Sequence, residues 1–172
     1  MRRSALCDSA GDEVQTAAAN FRRHCVLVSA VASRLEVLIA GVAAAGWGVD
    51  TCQSAGVASR AVRKHCARLV LVDMTGTDDW DAVRLEGLAD LVSRMGGLFV
   101  VLGACESDER LEIRARQLGA WVYLAGDLSI DQVSAITADA RTLIERLDRT
   151  SAPTAGQDFS GMVPQWAAEG VC

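Results

Sequence analysis

The chain has 172 residues, 51% of them hydrophobic, and a formal net charge of −5. That length suits one domain with tails, and that much apolar material closes a core without disulfides or a metal. An acidic chain without a basic run argues against direct nucleic-acid binding, and no stretch reaches the roughly 18 uninterrupted apolar residues of a membrane span.

Residues 1–22 are small and polar, with a weakly helical stretch at 12–20, and are expected to form an N-terminal extension. Met1-Arg2-Arg3 starts like a signal peptide, but no apolar segment follows, so a cytoplasmic protein is expected. The apolar run Cys25-Val26-Leu27-Val28, ending in Ser29-Ala30, predicts a buried strand. Ser33 and Glu36 have capping-box spacing, and Leu35, Leu38, Ile39 and Val42 continue at helical spacing to Gly46. A short strand is expected over 48–53 and a helix over 55–65. Leu69-Val70-Leu71-Val72-Asp73 predicts a central strand.

Over 80–95, Leu85, Leu88, Leu91, Val92 and Met95 share one helical stripe, which Gly96-Gly97 ends. Asp78, Asp79 and Asp81 suit the first turn of that helix, where carboxylates complement its macrodipole. Leu98-Phe99-Val100-Val101-Leu102 predicts the fourth strand. Ser107, Asp108 and Glu109 open a helix that Gly119 closes, and 121–124 is the fifth strand. Ser129 and Gln132 make a second capping box. Behind it Ile130, Val133, Ile136, Ala140, Leu143 and Leu147 line the last helix. The domain is expected over 23–149. A Pro- and Gly-containing linker and tail, ending near an isolated Trp166, follow over 150–172.

Apolar strands in strict alternation with amphipathic helices predict an α/β fold, a doubly wound parallel sheet of five strands in the order 2-1-3-4-5. Ligands of such sheets sit at the C-terminal ends of the strands. The six cysteines contain no C-x-x-C pair and read as small buried hydrophobes. His24-Cys25 and His65-Cys66 open neighbouring strands, so two His and two Cys could approach at the N-terminal edge of the sheet. Sequence-adjacent ligands are not the usual zinc spacing, and a strand sends them to opposite faces. Buried Cys with surface His, and no metal, are expected there.

Over 23–147 the sequence resembles the receiver domains of bacterial response regulators in two-component signal transduction. The resemblance rests on the spacing of Leu38, Val42, Gly46 and Val49, on Asp73 at the end of its apolar strand, and on Gly119-Ala120-Trp121-Val122-Tyr123-Leu124. It implies a flavodoxin-like fold with Asp73 as the phosphoacceptor and Tyr123 as the switch aromatic. The other positions depart from the family. Its Mg²⁺-holding acid pair falls on Ser29 and Ala30, its phosphate-sensing Thr or Ser on Gly103 (followed by Ala104), and its lysine on Gly126.

Phosphoryl transfer to a carboxylate brings anions together and needs cations to offset them. Asp73 without those helpers therefore has two readings, a vestigial phosphoacceptor or a polar strand-end residue bonded to backbone N–H groups, and the second is preferred. The expected function is a non-enzymatic pseudo-receiver, a phosphorylation-independent module that binds another signalling or regulatory protein. A homodimer through the fourth helix, fifth strand and fifth helix is a further expectation, with Arg110, Arg114, Arg141 and Glu145 on that face. No cofactor is expected, Mg²⁺ entering only with the alternative that a histidine kinase phosphorylates Asp73. A second alternative makes the chain the regulatory N-terminal part of a larger ATPase or transcription regulator. A third is a ligand pocket left by the small residues Ser29, Ala30, Gly103, Ala104 and Gly126.

Overall fold

The computed structural model describes residues 24–75, 82–104 and 108–151. Five strands alternate with five helices: β1 (His24–Val28), α1 (Ala32–Ala44), β2 (Gly48–Cys52), α2 (Ala55–His65), β3 (Leu69–Asp73), α3 (Ala82–Arg94), β4 (Leu98–Leu102), α4 (Glu109–Gln117), β5 (Val122–Leu124) and α5 (Ile130–Ser151). All four strand pairings are parallel, and the sheet order is β2-β1-β3-β4-β5, as expected from the alternation. No described helix is long and apolar enough to cross a membrane. The expected helix at 12–20, the acids at 78–81, Ser107 and the tail beyond Ser151 lie outside the described residues.

Period-2 alternation divides the strand side chains between two cores. Cys25, Leu27, Leu69, Leu71, Leu98, Val100 and Leu102 pack under α1 and α5, while Val26, Val28, Val70, Val72, Phe99 and Val101 pack under α2, α3 and α4. Because both faces are covered, the central strands carry no polar residue until Asp73. At Gly41 the helices α1 and α5 come close, and an added Cβ would lie 2.5 Å from Val133 Cβ and 2.9 Å from the Ile130 carbonyl oxygen. The indole N–H of Trp47 donates to the Thr137 carbonyl (2.9 Å), fixing the α1–β2 turn to α5.

The local signals differ in outcome. Ser129 and Gln132 form the expected reciprocal cap, with Ser129 N–H donating to Gln132 Oε1 (2.9 Å) and Gln132 N–H to Ser129 Oγ (3.3 Å). Asp108 caps α4 by accepting from Leu111 N–H (3.1 Å). The box expected from Ser33 and Glu36 does not form. Helix α1 starts two residues earlier than that box requires, with Val31 at the cap position and no side-chain bond there. Instead the hydroxyl of Ser29 accepts from Val31 N–H (3.2 Å), so the turn is organised from the strand side.

Candidate functional site

Asp73 is the last residue of β3 and is fully buried. Both of its carboxylate oxygens are engaged. Oδ1 accepts from Thr75 N–H (3.1 Å), and Oδ2 accepts from the hydroxyl of Ser29 (2.9 Å), itself buried at the end of β1. A buried carboxylate also needs charge compensation. The cation is Arg34, from the first turn of α1, whose Nε lies 3.6 Å from Asp73 Oδ2.

The same guanidinium reaches across the ends of two further strands. Its Nη2 donates to the carbonyl oxygens of Gly103, just past β4, and of Gly126, just past β5, both at 3.3 Å. One side chain thus ties together the C-terminal ends of β3, β4 and β5. It does so because α1 begins directly over the edge where those strands end. An arginine's planar array of donors suits one anion and several carbonyls at once.

Of the positions singled out from the sequence, Asp73, Ser29, Gly103 and Gly126 therefore meet at one point, and Ala30 lies beside it with no carboxylate to offer. Gly126 adopts φ +88°, a left-handed conformation that a lysine would hold only under strain. Tyr123 lies over Gly103 and packs against the α2–α3–α4 core. A Cβ at residue 103 would run into the phenol oxygen and ring, the ring atom Cζ lying 3.0 Å away. The aromatic thus occupies the space that the resemblance assigns to a phosphate-sensing side chain. Arg34 was missed from the sequence. Its signal was position alone, a cation one turn past the first strand of a sheet whose third strand ends in an unpaired acid.

The residues present do not fit the Mg²⁺ of the receiver family. Such a site uses one or two carboxylates together with waters and phosphate oxygens. Asp73 has no neighbouring acid among the described residues, both its oxygens are taken, and a guanidinium stands against it. Two of the five small residues expected to leave a pocket, Ser29 and Ala30, line one. An open cleft of about 670 Å³ lies to one side, lined by Ser29, Ala30, Ala32, Leu35, Thr51, Cys52, Gln53 and Val57. Gly103, Ala104 and Gly126 are not part of it, since Arg34 reaches into their side of the edge.

The four residues expected on the outer α4–β5–α5 face divide. Arg110 and Glu145 are exposed. Arg114 is turned to α3, pairing with Glu86 at 2.9 Å, and Arg141 is turned to α1, donating to the Ala45 carbonyl at 3.1 Å. At the opposite edge of the sheet, His24 and His65 do converge, stacked with ring centroids 4.8 Å apart, but the thiols do not join them. Cys25 is buried on the other face of the sheet, where burial, and secondarily the charge of Asp50, pushes its thiol pKa up. Cys66 is exposed, 3.9 Å from the Arg63 carbonyl. The third group beside the histidines is Asp50, which the sequence reading did not single out.

No family model matches the sequence, and no curated protein matches it. Solved structures do. NtrX from Brucella abortus matches with a TM-score of 0.63 and 14% identity over 76% of this chain, which spans 29% of that one. The signal receiver domain of a putative LuxO repressor protein from Vibrio parahaemolyticus matches with a TM-score of 0.62 and 14% identity, covering 76% of this chain and 98% of that domain. A response regulator receiver domain protein from Clostridium thermocellum matches with a TM-score of 0.59 and 18% identity over 73% of this chain and 98% of that one. At these identities the likeness establishes a receiver-like fold, in agreement with the strand order.

Proposed function

We propose that the chain is a pseudo-receiver, a protein-binding signalling module that works without phosphorylation and without catalysis. The observation that carries this reading is Arg34, held between Asp73 and the carbonyls of Gly103 and Gly126. In a phosphorylatable site the acceptor carboxylate must be open to an incoming phosphoryl group and to a divalent cation. Here Asp73 is buried, faces an internal cation and has each oxygen engaged in a hydrogen bond.

The surface proposed for a partner, either another signalling protein or a second copy, is the α4–β5–α5 face. Ile113 on α4 (56% exposed), Trp121 at the entry to β5 and Leu147 on α5 are exposed hydrophobic residues of these elements, which also carry the exposed Arg110 and Glu145. Exposed aromatic and aliphatic anchors beside charged residues suit a protein contact.

The test is Mg²⁺-dependent beryllofluoride titration followed by amide NMR, together with acetyl phosphate labelling read by intact mass. The wild type is expected to show neither resonance shifts around Asp73 nor added phosphate. A Mg²⁺-dependent response that Asp73→Asn abolishes would overturn the proposal in favour of a working phosphoacceptor.

A further inference from the structure

We infer that His24, Asp50 and His65 form a binding site for a divalent transition-metal ion of the zinc class, at the edge of the sheet remote from Asp73. His24 opens β1, Asp50 is the central residue of β2, and His65 is the last residue of α2. The β1–β2 register pairs His24 with Gly48. Gly48 has no side chain to fill that position, and a Cβ there would come within 3.3 Å of the imidazole. The ring lies over the glycine and meets Asp50, two residues further along the same face. His24 Nδ1 is 3.0 Å from Asp50 Oδ2.

His65 arrives from above. Cys66, in the left-handed conformation at φ 49°, ends α2 and leaves His65 beside the pair, with Nε2 3.8 Å from Asp50 Oδ1. The three potential ligand atoms lie within 4.8 Å of one another. Each side chain is about a third exposed or less, with 32% for His24, 31% for Asp50 and 26% for His65.

Two imidazoles and one carboxylate are a donor set that zinc accepts, with water completing the shell. Ligands around a tetrahedral ion with bonds of about 2.0–2.1 Å sit about 3.3 Å apart. The two His–Asp50 separations, 3.0 and 3.8 Å, bracket that distance, and all three ligand atoms lie within 4.8 Å of one another, a gap that side-chain rotation can narrow. The two rings are stacked, with 19° between their planes, so one ring must turn about its side-chain torsions before both in-plane lone pairs meet a common ion. Bound metal would clamp the first two strands to the end of α2. The thiols expected from the dipeptides are not ligands: Cys25 lies on the opposite face of the sheet and Cys66 turns back on its own helix.

The test uses the full chain without an affinity tag, titrated with ZnCl₂ by calorimetry and by thermal unfolding. Expected are about one ion per chain, micromolar affinity and a rise in Tm, with Asp50→Asn and His65→Gln each weakening binding at least tenfold or so. His65 is the last residue of α2 and partly exposed, and an unchanged circular dichroism spectrum of its variant checks that the fold is kept. Co²⁺ in place of zinc should give weak visible bands with no thiolate charge-transfer absorption. No heat and no Tm change at millimolar zinc would overturn the inference, as would binding unaltered in both variants or a strong thiolate band.

Discussion

Removal of the Arg34 side chain is the most informative perturbation. Arg34→Ala leaves Asp73 buried, with only Ser29 and the Thr75 N–H as partners. At the observed 3.6 Å the two unit charges attract by about 4.6 kcal/mol at an effective dielectric of about 20. Two carbonyl hydrogen bonds are lost as well. Against this, the guanidinium, with its side chain only 17% exposed, no longer has to leave water. Breaking a buried pair from one side costs roughly 3–5 kcal/mol in comparable cases. The Asp73 partners that remain set the expectation at the lower end, about 3 kcal/mol.

Urea denaturation followed by circular dichroism reads that loss as a fall in midpoint of roughly 2 M. The double-mutant cycle with Asp73→Asn separates the pair from its surroundings. If the ion pair is what the variant breaks, the double variant recovers at least about 1 kcal/mol relative to the sum of the singles. A single-variant cost below about 0.5 kcal/mol, or additivity within about the same margin, would refute the reasoning.

Four further outcomes follow. Gly103→Thr, which restores the hydroxyl that the resemblance implies, collides with Tyr123 and is expected to cost about 1–3 kcal/mol in the same assay, so an unchanged midpoint would show that the tyrosine is not held there. Gly41→Ala is expected to destabilise although alanine is the better helix former by about 1 kcal/mol, because its methyl group meets Val133; a gain in Tm would contradict the close α1–α5 approach. Pulsed alkylation mapped by mass spectrometry should modify exposed Cys66 quickly and Cys25 only on unfolding, and rapid native labelling of Cys25 would be the contrary result. Because the folded Cys25 thiol pKa is raised, its contribution to stability is full below the ordinary thiol range. It is lost as pH rises above that range, where only the unfolded chain ionises, so Tm should fall from neutral to alkaline pH.

The sequence by itself determined the architecture. Apolar strand runs and one short edge strand, Gly48–Cys52, alternating with amphipathic helices leave a parallel sheet with both faces covered as the way to bury Leu27, Leu71 and Val100 on one side and Val26, Val72 and Val101 on the other. Local polar signals were legible where a side chain bonds within its own turn, as at Ser129–Gln132 and Asp108, since such bonds depend only on spacing along the chain. The Ser33–Glu36 box had the same spacing and did not form, because Ser29 already holds the turn at Val31.

What only the tertiary structure decided were the partners joined across the fold. Asp73 was visible as an acid stripped of its helpers, but its cation comes from Arg34, 39 residues earlier in the chain. The carbonyls that share that guanidinium belong to Gly103 and Gly126, positions that looked merely empty. The two histidines were visible as neighbours of cysteines, yet strand alternation sent Cys25 to the opposite face and the β2 register supplied Asp50 in its place. Charge compensation and ligation act through space, and strand register and helix position decide which distant residues share that space.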